Sequence, residues 1–453
     1  MEELENKEQA EQTPEDYMQM ALDLARRGEG KVSPNPMVGC VVVKEGRVIA
    51  TGYHEIYGGY HAERNALLHC AEDATGSELY VNLEPCCHYG KTPPCTEIIL
   101  EKKIKKVYVG CLDSNPKVAG KGIEILQEHG IQVETGILEQ ECRELNEVFF
   151  HYMEQKMPFV AMKYAMTLDG KIACETGDSK WVTEAETRGY VQLLRNRYRG
   201  IMAGIGTVLA DDPMLNCRIK GGRNPVRIIC DARLRIPKDS KIVATAKEIE
   251  TIVVWNYRAA EEFYSDSREV ECLQEDYSGV REVEHLQENC SDSRAVEHLQ
   301  EEKQQQENKK ETQGKDHTAS QRIPDRLTET LVFLENKGIT LLENPLKSGT
   351  AAPELDLRVL FGQLAARGID SILLEGGGTL NASALRENLV QRVYAFIAPK
   401  LVAGANAKTP VEGKGISYMK DAVKLEHIQV SLFGVDICVS GRVGEERACL
   451  PES

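Results

Sequence analysis

His61-Ala62-Glu63, followed by Glu84-Pro85-Cys86-Cys87-His88-Tyr89-Gly90-Lys91-Thr92-Pro93-Pro94-Cys95, is the stretch whose reading decides the first fold in this chain. One imidazole and two thiolates form a soft donor set that suits zinc and keeps a fourth position for water. Zinc in such a site brings the pKa of bound water to about 7, so a nucleophile becomes available at neutral pH. His61, Cys86 and Cys95 are therefore expected as the metal ligands. Glu63, two residues after the histidine, is expected as the catalytic acid and base, close enough to move protons without binding the metal. Working outward, 37–43 reads as a buried strand, 44–47 as a turn, 48–52 as a second strand and 78–83 as a third. Helices are expected to begin near His61 and near Cys95, with Ala62, Ala66 and Leu67 facing a core on the first, and Ile98 and Ile99 on the second. Ligands at two helix starts are chemically sensible, because the partial positive charge there favours thiolate.

A purely structural zinc site is the competing reading. Such sites close their shell with four protein ligands and need no carboxylate beside the first, and Cys87 or His88 offers a fourth donor. Against it, His61, Glu63, Pro85, Cys86 and Cys95 occur together, and H-x-E followed by a P-C pair is the signature of zinc nucleobase deaminases.

The 84–95 run, with Ser33-Pro34-Asn35-Pro36-Met37-Val38-Gly39 before it, resembles the deaminase half of the bifunctional riboflavin-biosynthesis deaminase/reductases. Other deaminases of that superfamily typically close P-C-x-x-C, whereas here a longer loop with histidine and prolines separates the cysteines. The resemblance implies a cytidine-deaminase-like α/β domain over 13–152, with Cys86 rather than Cys87 as ligand. It also places Asn35 and His54 on the wall of a pyrimidine pocket, and Asp113, Asn115 and the stretch 118–122 fit the same pattern.

At 453 residues and 42% hydrophobic content the chain can fill two or three cores, so a second domain is expected beyond Tyr152. A new apolar strand begins at 158–165, and 371–375 reads as a strand running into Gly376-Gly377-Gly378-Thr379, where backbone amides could approach a pyrophosphate. Gly204-Ile205-Gly206-Thr207 is a weaker second case, and neither fits the G-x-G-x-x-G fingerprint. The region from Met162-Lys163 through Glu375-Gly376-Gly377-Gly378-Thr379 is similar to the reductase half of the same family. That similarity implies a dihydrofolate-reductase-like α/β domain over 156–445 that binds NADPH. On matching positions it implies cofactor contacts at Ala165, Trp181, Thr207, Asp211, Gly376, Gly377 and Gly378. Substrate contacts are implied at Ser179, Arg195, Leu215, Arg218 and Glu375. Arg195 and Arg218 have the forked donors that suit a phosphate, and Lys163 with Glu375 is expected to polarise the sugar during hydride delivery. The expected partner is a phosphorylated pyrimidine, and family members often form homo-oligomers.

One tract departs from the family. Between 261 and 327 the sequence is strongly polar, with related octads starting at Arg268 (R-E-V-E-C-L-Q-E), Arg281 (R-E-V-E-H-L-Q-E) and Arg294 (R-A-V-E-H-L-Q-E). Low hydrophobicity and dense charge point to a mostly disordered insertion, linking expected strands at 251–255 and 330–334. A net charge of −16 disfavours a grip on nucleic acid, which needs a basic patch. The acidic tail 1–12 lacks the basic start and apolar core of a signal peptide, and no run is long enough to span a bilayer, so a cytoplasmic enzyme without membrane or nucleic-acid partners is expected. The 14 cysteines are scattered through a long enzyme-like chain, a distribution that suits reduced thiols.

Overall fold

A computed structural model describes residues 12–265, 325–350 and 352–444. The acidic tail and the octads of the polar insertion lie outside the described residues.

The first sheet is built on β1 (Gly39–Lys44), whose Cys40, Val41, Val42 and Val43 are all buried. β-Branched residues suit a strand covered on both faces. A turn with positive φ at Glu45 and Gly46 leads into β2 (Arg47–Tyr53), antiparallel to β1. β3 (Glu78–Leu83) pairs antiparallel on the other side, followed by β4 (Lys106–Cys111) and β5 (Gln132–Thr135), both parallel, giving the order β2-β1-β3-β4-β5. The helix Pro14–Ala25, started by a Thr13–Asp16 capping box and a proline in its first turn, lies directly on this sheet. A Cβ on Gly39 would stand 2.0 Å from the Ala21 carbonyl oxygen, so only glycine permits that approach.

The second sheet has nine strands: β6 (Phe159–Thr167), β7 (Gly200–Gly204), β8 (Val226–Cys230), β9 (Thr251–Trp255), β10 (Ile339–Glu343), β11 (Ser371–Leu374), β12 (Arg392–Ala398), β13 (Leu425–Phe433) and β14 (Asp436–Val443). Their order is β10-β9-β8-β7-β11-β6-β12-β14-β13, parallel from β10 to β12 and antiparallel beyond. The C-terminal ends of β7, β8 and β11 lie side by side, which is where parallel α/β sheets bind ligands. Apolar clusters on both faces of the parallel part form its core.

The strand expected at 330–334 is instead part of the helix Asp325–Asn336. Leu327, Thr330, Leu331 and Leu334 are its buried residues, a helical spacing that outweighs the β-branched Thr330 and Val332. The true partner of β9 is β10, and because the two are parallel a crossover helix must precede β10.

The helix Glu147–Gln155 joins the domains. Its Glu147 is only 4% exposed and accepts both fork nitrogens of Arg392, at 2.9 and 2.8 Å, and Nε of Arg442 at 3.2 Å. Charge-assisted, bidentate bonds of this kind are strong where water is excluded. Farther along the helix, the Tyr152 hydroxyl donates to the Ala365 carbonyl at 3.0 Å.

Candidate active sites

His61 caps the helix Ala62–Leu68, and Cys95 is the first residue of the helix Cys95–Glu101. These two starts meet the end of β3, where Cys86 follows, and the ligand atoms of His61, Cys86 and Cys95 all lie within 4.8 Å of one another. His61 Nδ1 is 3.3 Å from Cys86 Sγ and 3.6 Å from Cys95 Sγ. The Cys95 thiol hydrogen-bonds to Cys86, and with His61 it holds the Cys86 thiol down at about 4. Cys95 itself is pushed up by that same bond and by burial. Cys87 lies aside, its Sγ 3.6 Å from the Lys117 carbonyl, and among the described residues neither it nor His88 joins the cluster. The four-ligand structural reading therefore lacks its fourth donor.

Glu63 is 2% exposed, and its Oε2 has no hydrogen-bond partner. Burial, aided by the nearby Cys86 charge, pushes its carboxyl up to about 7. Three soft donors beside one unpaired buried carboxylate oxygen fit a zinc ion with an open position and a proton carrier next to it. His61, Glu63 and Cys86 line a cavity of 230 Å³ with Asn35, His54, Lys91 and Asp113. His54 donates from Nδ1 to the Tyr60 carbonyl at 2.9 Å, so its Nε2 accepts from Asn35 Nδ2 at 3.1 Å, and burial keeps the ring neutral.

Sequence reasoning missed Glu84. Its buried carboxylate accepts from the backbone N–H groups of Asp113 and Gly120 on Oε2, at 3.2 and 2.9 Å, and of Gly122 on Oε1 at 3.0 Å. It thereby ties the 113–120 loop to the strand that delivers Cys86. An acidic residue directly after a strand whose Leu79, Tyr80, Val81 and Leu83 are buried was the available signal.

In the second domain a cavity of 520 Å³ opens at the strand ends, lined by Ser179, Gly204, Gly206, Thr207, Asp211, Gly377 and Gly378 among others. Space beside Gly204 and Gly206 is open, and an added Cβ on Gly377 would meet only Thr207 Oγ1, at 3.8 Å. With the N-terminus of the helix Gly378–Arg386 beside them, these bare backbones suit a dinucleotide's phosphates. Gly378 serves packing: a Cβ there would stand 2.6 Å from the Thr409 carbonyl oxygen. Ser179 Oγ donates to Asp211 at 3.0 Å, which joins an expected substrate residue to an expected cofactor residue. Ala165, Trp181 and Gly376 are not among the lining residues; Trp181 is exposed, with the Arg188 guanidinium 4.4 Å from its ring centre.

Arg195, Glu375 and Lys163 form a separate buried cluster. Arg195 gives its fork to Glu375, with bonds of 2.7 and 2.9 Å, and Nη1 to the Asn216 carbonyl at 3.1 Å. The fork expected to take a phosphate is thus engaged by a carboxylate, which suits its bidentate geometry. Lys163 Nζ stands 3.7 Å from Glu375 Oε2. Against the burial that opposes it, Arg195 first and Lys163 second hold the Glu375 carboxyl down at about 2. Leu215 is buried with φ 45°. Arg218 has an exposed side chain and donates its backbone N–H to Gln192.

Comparison with known proteins covers both domains. Residues 11–111 match the cytidine and deoxycytidylate deaminase zinc-binding region, and residues 158–306 and 303–439 match the RibD C-terminal domain. The chain is 42% identical over 422 residues to riboflavin biosynthesis protein RibD of Actinobacillus pleuropneumoniae, covering 93% of each. It is 32% identical over 436 residues to that of Escherichia coli, covering 93% of this chain and 97% of the relative. Among solved structures, Acinetobacter baumannii RibD matches with TM-score 0.72 and 31% identity over 95% of this chain and 99% of that one. A diaminohydroxyphosphoribosylaminopyrimidine deaminase/5-amino-6-(5-phosphoribosylamino)uracil reductase from Thermotoga maritima matches with TM-score 0.70 and 32% identity, over the same shares. No helix among the described residues is long and apolar enough to cross a membrane. With a zinc-binding deaminase domain and an NADPH-dependent reductase domain in one polypeptide, the chain belongs to the RibD family of bifunctional riboflavin-biosynthesis enzymes, at once hydrolase and oxidoreductase.

Proposed function

We propose that the first domain deaminates 2,5-diamino-6-ribosylamino-4(3H)-pyrimidinone 5′-phosphate and that the second reduces the ribosyl group of the product to ribityl, giving 5-amino-6-ribitylamino-uracil 5′-phosphate. The observation that carries the deaminase reading is Glu63, a buried carboxylate with an unpaired oxygen beside three convergent zinc donors. His61, Cys86 and Cys95 would hold the metal, which when bound makes water nucleophilic at neutral pH. Glu63 takes a proton from the attacking water and returns it to the amino group that leaves as ammonia. Its carboxyl, pushed up to about 7, is matched to both transfers near neutral pH. Asn35 and neutral His54 face the pyrimidine.

In the second domain Thr207, Asp211 and Gly377 line the space for NADPH, which supplies the hydride. When bound, the cofactor would supply a hydride to the anomeric carbon, and opening of the ring C–O bond would call for a proton at the ring oxygen. In this reading Lys163, 3.7 Å from Glu375, gives that proton. Arg218, with its exposed guanidinium, is the better placed of the two expected arginines for the substrate phosphate, while Arg195 fixes Glu375. Self-association is supported by the edge strand β13, whose Val430 and Leu432 are 66% and 71% exposed on one face.

Mass spectrometry of the pyrimidinone phosphate after incubation with zinc-loaded protein tests both halves. Replacement of the amino group by oxygen is expected without NADPH, followed by a gain of two hydrogens when NADPH is added. No conversion by metal-loaded protein overturns the proposal.

A further inference from the structure

The loop 29–37 supplies Asn35 and Pro36 to the deaminase cavity, yet it is held from outside its own domain as well as from within it. Gly30 offers its carbonyl to Arg223 Nε at 3.1 Å. The same guanidinium donates to the carbonyls of Asn196, Tyr198 and Arg199, so it ties the loop to the end of the helix Ala185–Arg197. Gly30 has φ 75°, and a Cβ there would come within 2.3 Å of the Asn196 side chain. Ser33 Oγ donates to Asp370 Oδ2 at 2.7 Å. Asp370 is 3% exposed, and its other oxygen accepts from Ser371 Oγ, which in turn accepts from the Arg199 N–H. Where the loop ends, Met37 exchanges two hydrogen bonds with the Asn146 side chain, at 2.8 and 2.9 Å, one residue before the arginine-bound Glu147. Glu29 meets Arg197 at 3.5 Å.

Between these anchors Asn35 reaches His54 in the cavity. We infer that Asp370 and Arg223, both in the reductase domain, are positioning residues for deamination: they fix the loop that presents Asn35, so the deaminase pocket is complete only against the second domain. This rests on the substrate reading above. Neither residue touches the zinc ligands, so the effect of losing them should fall on substrate binding rather than on the metal. A buried hydrogen bond to a charged acceptor corresponds to a change of about tenfold or more in an equilibrium.

Steady-state kinetics of the zinc-loaded full-length protein test this, with ammonia release and NADPH consumption followed separately. Asp370→Ala is expected to raise the deaminase KM about tenfold, with zinc content and reductase kcat/KM essentially unchanged. Asp370→Asn keeps an oxygen that accepts from Ser33 and should recover most of the loss. Ser33→Ala should reproduce the defect, and the double Ser33→Ala/Asp370→Ala should be no worse than either single variant. An unchanged deaminase KM, or a parallel fall in both reactions, overturns the inference. If Asp370→Ala does not fold, Ser33→Ala and Gly30→Ala carry the test from the other side. Should the wild type release no ammonia from this pyrimidine, the substrate reading fails, and hydrogen exchange decides the loop alone: faster exchange across 29–37 in Ser33→Ala supports the anchor, and unchanged exchange overturns it.

Discussion

Glu63 and Glu375 are both buried glutamates, one in each domain, and their surroundings push them in opposite directions. Around Glu63 stands a thiol-rich cluster, with one carboxylate oxygen left unpaired, and burial lifts its pKa to about 7. Around Glu375 stand a bidentate arginine and a lysine, and its pKa drops to about 2. Among the described residues no arginine or lysine is bonded to the carboxylate that has to exchange protons, whereas the one that serves as fixed charge is clamped by one of each. The same side chain in equally dry surroundings thus becomes a proton carrier or a structural anion according to what shares its pocket.

Substitutions separate these two roles. The largest effect is expected from Glu63→Gln, which keeps shape but cannot carry a proton: deaminase kcat should fall by about 10²–10⁴-fold, while zinc content and NADPH consumption stay at wild-type levels. Retained ammonia release would place Glu63 with Glu375 among the fixed charges and remove the contrast. Next, Glu375→Gln leaves Arg195 and Lys163 facing each other without a counter-charge. Reductase kcat/KM should fall by roughly a hundredfold, the scale of breaking a buried ion pair, with deamination unaffected. Arg195→Lys, which retains the charge and loses the fork, should cost the reductase about tenfold, and a wild-type rate would show that charge alone holds Glu375.

The smallest effect is one of pH. Because the Glu375 pKa is depressed in the folded state, the unfolded chain binds more protons between the ordinary value of 4.5 and about 2. The stabilisation is therefore complete above that range and is lost as pH falls through it. Thermal unfolding followed from pH 5 downward should show a shallower acid loss for Glu375→Gln than for the wild type; identical slopes would mean that the cluster contributes no net stability.

The first site was legible because its chemistry is compact in sequence. One loop carries both cysteines, and His61 and Glu63 share a helix start, so spacing and ligand type constrained one another. Even there, the acids that align the parts escaped notice. Glu84 and Glu147 find their partners far along the chain, and for Glu147 nothing local distinguishes it from a surface glutamate. The reductase residues come from separate strands and loops between Lys163 and Gly378, and only the parallel sheet brings them near one another, so their assignment depended on resemblance to a family. Arg195 looked like a phosphate ligand because its type allows it, but Glu375 at the end of β11 claims the fork first. The glycines of 376–378 were read together as a phosphate approach, whereas Gly378 also gives room to the Thr409 carbonyl and the Glu412 side chain packed on it. At 330–334 the β-branched residues suggested a strand, and the wider spacing of Leu327, Leu331 and Leu334 already described a helix.

The short strand β11 connects these observations. Asp370, immediately before it, receives the hydroxyl of Ser33, and Glu375, immediately after it, receives the fork of Arg195. At about 3.3 Å per residue, the strand acts as a rigid ruler of fixed length, pinned between β7 and β6 on either side. A slip of one residue in its register would turn Asp370 and Glu375 away from their partners together. The two halves of the enzyme therefore share one mechanical datum, and neither can be re-registered during evolution without disturbing the other.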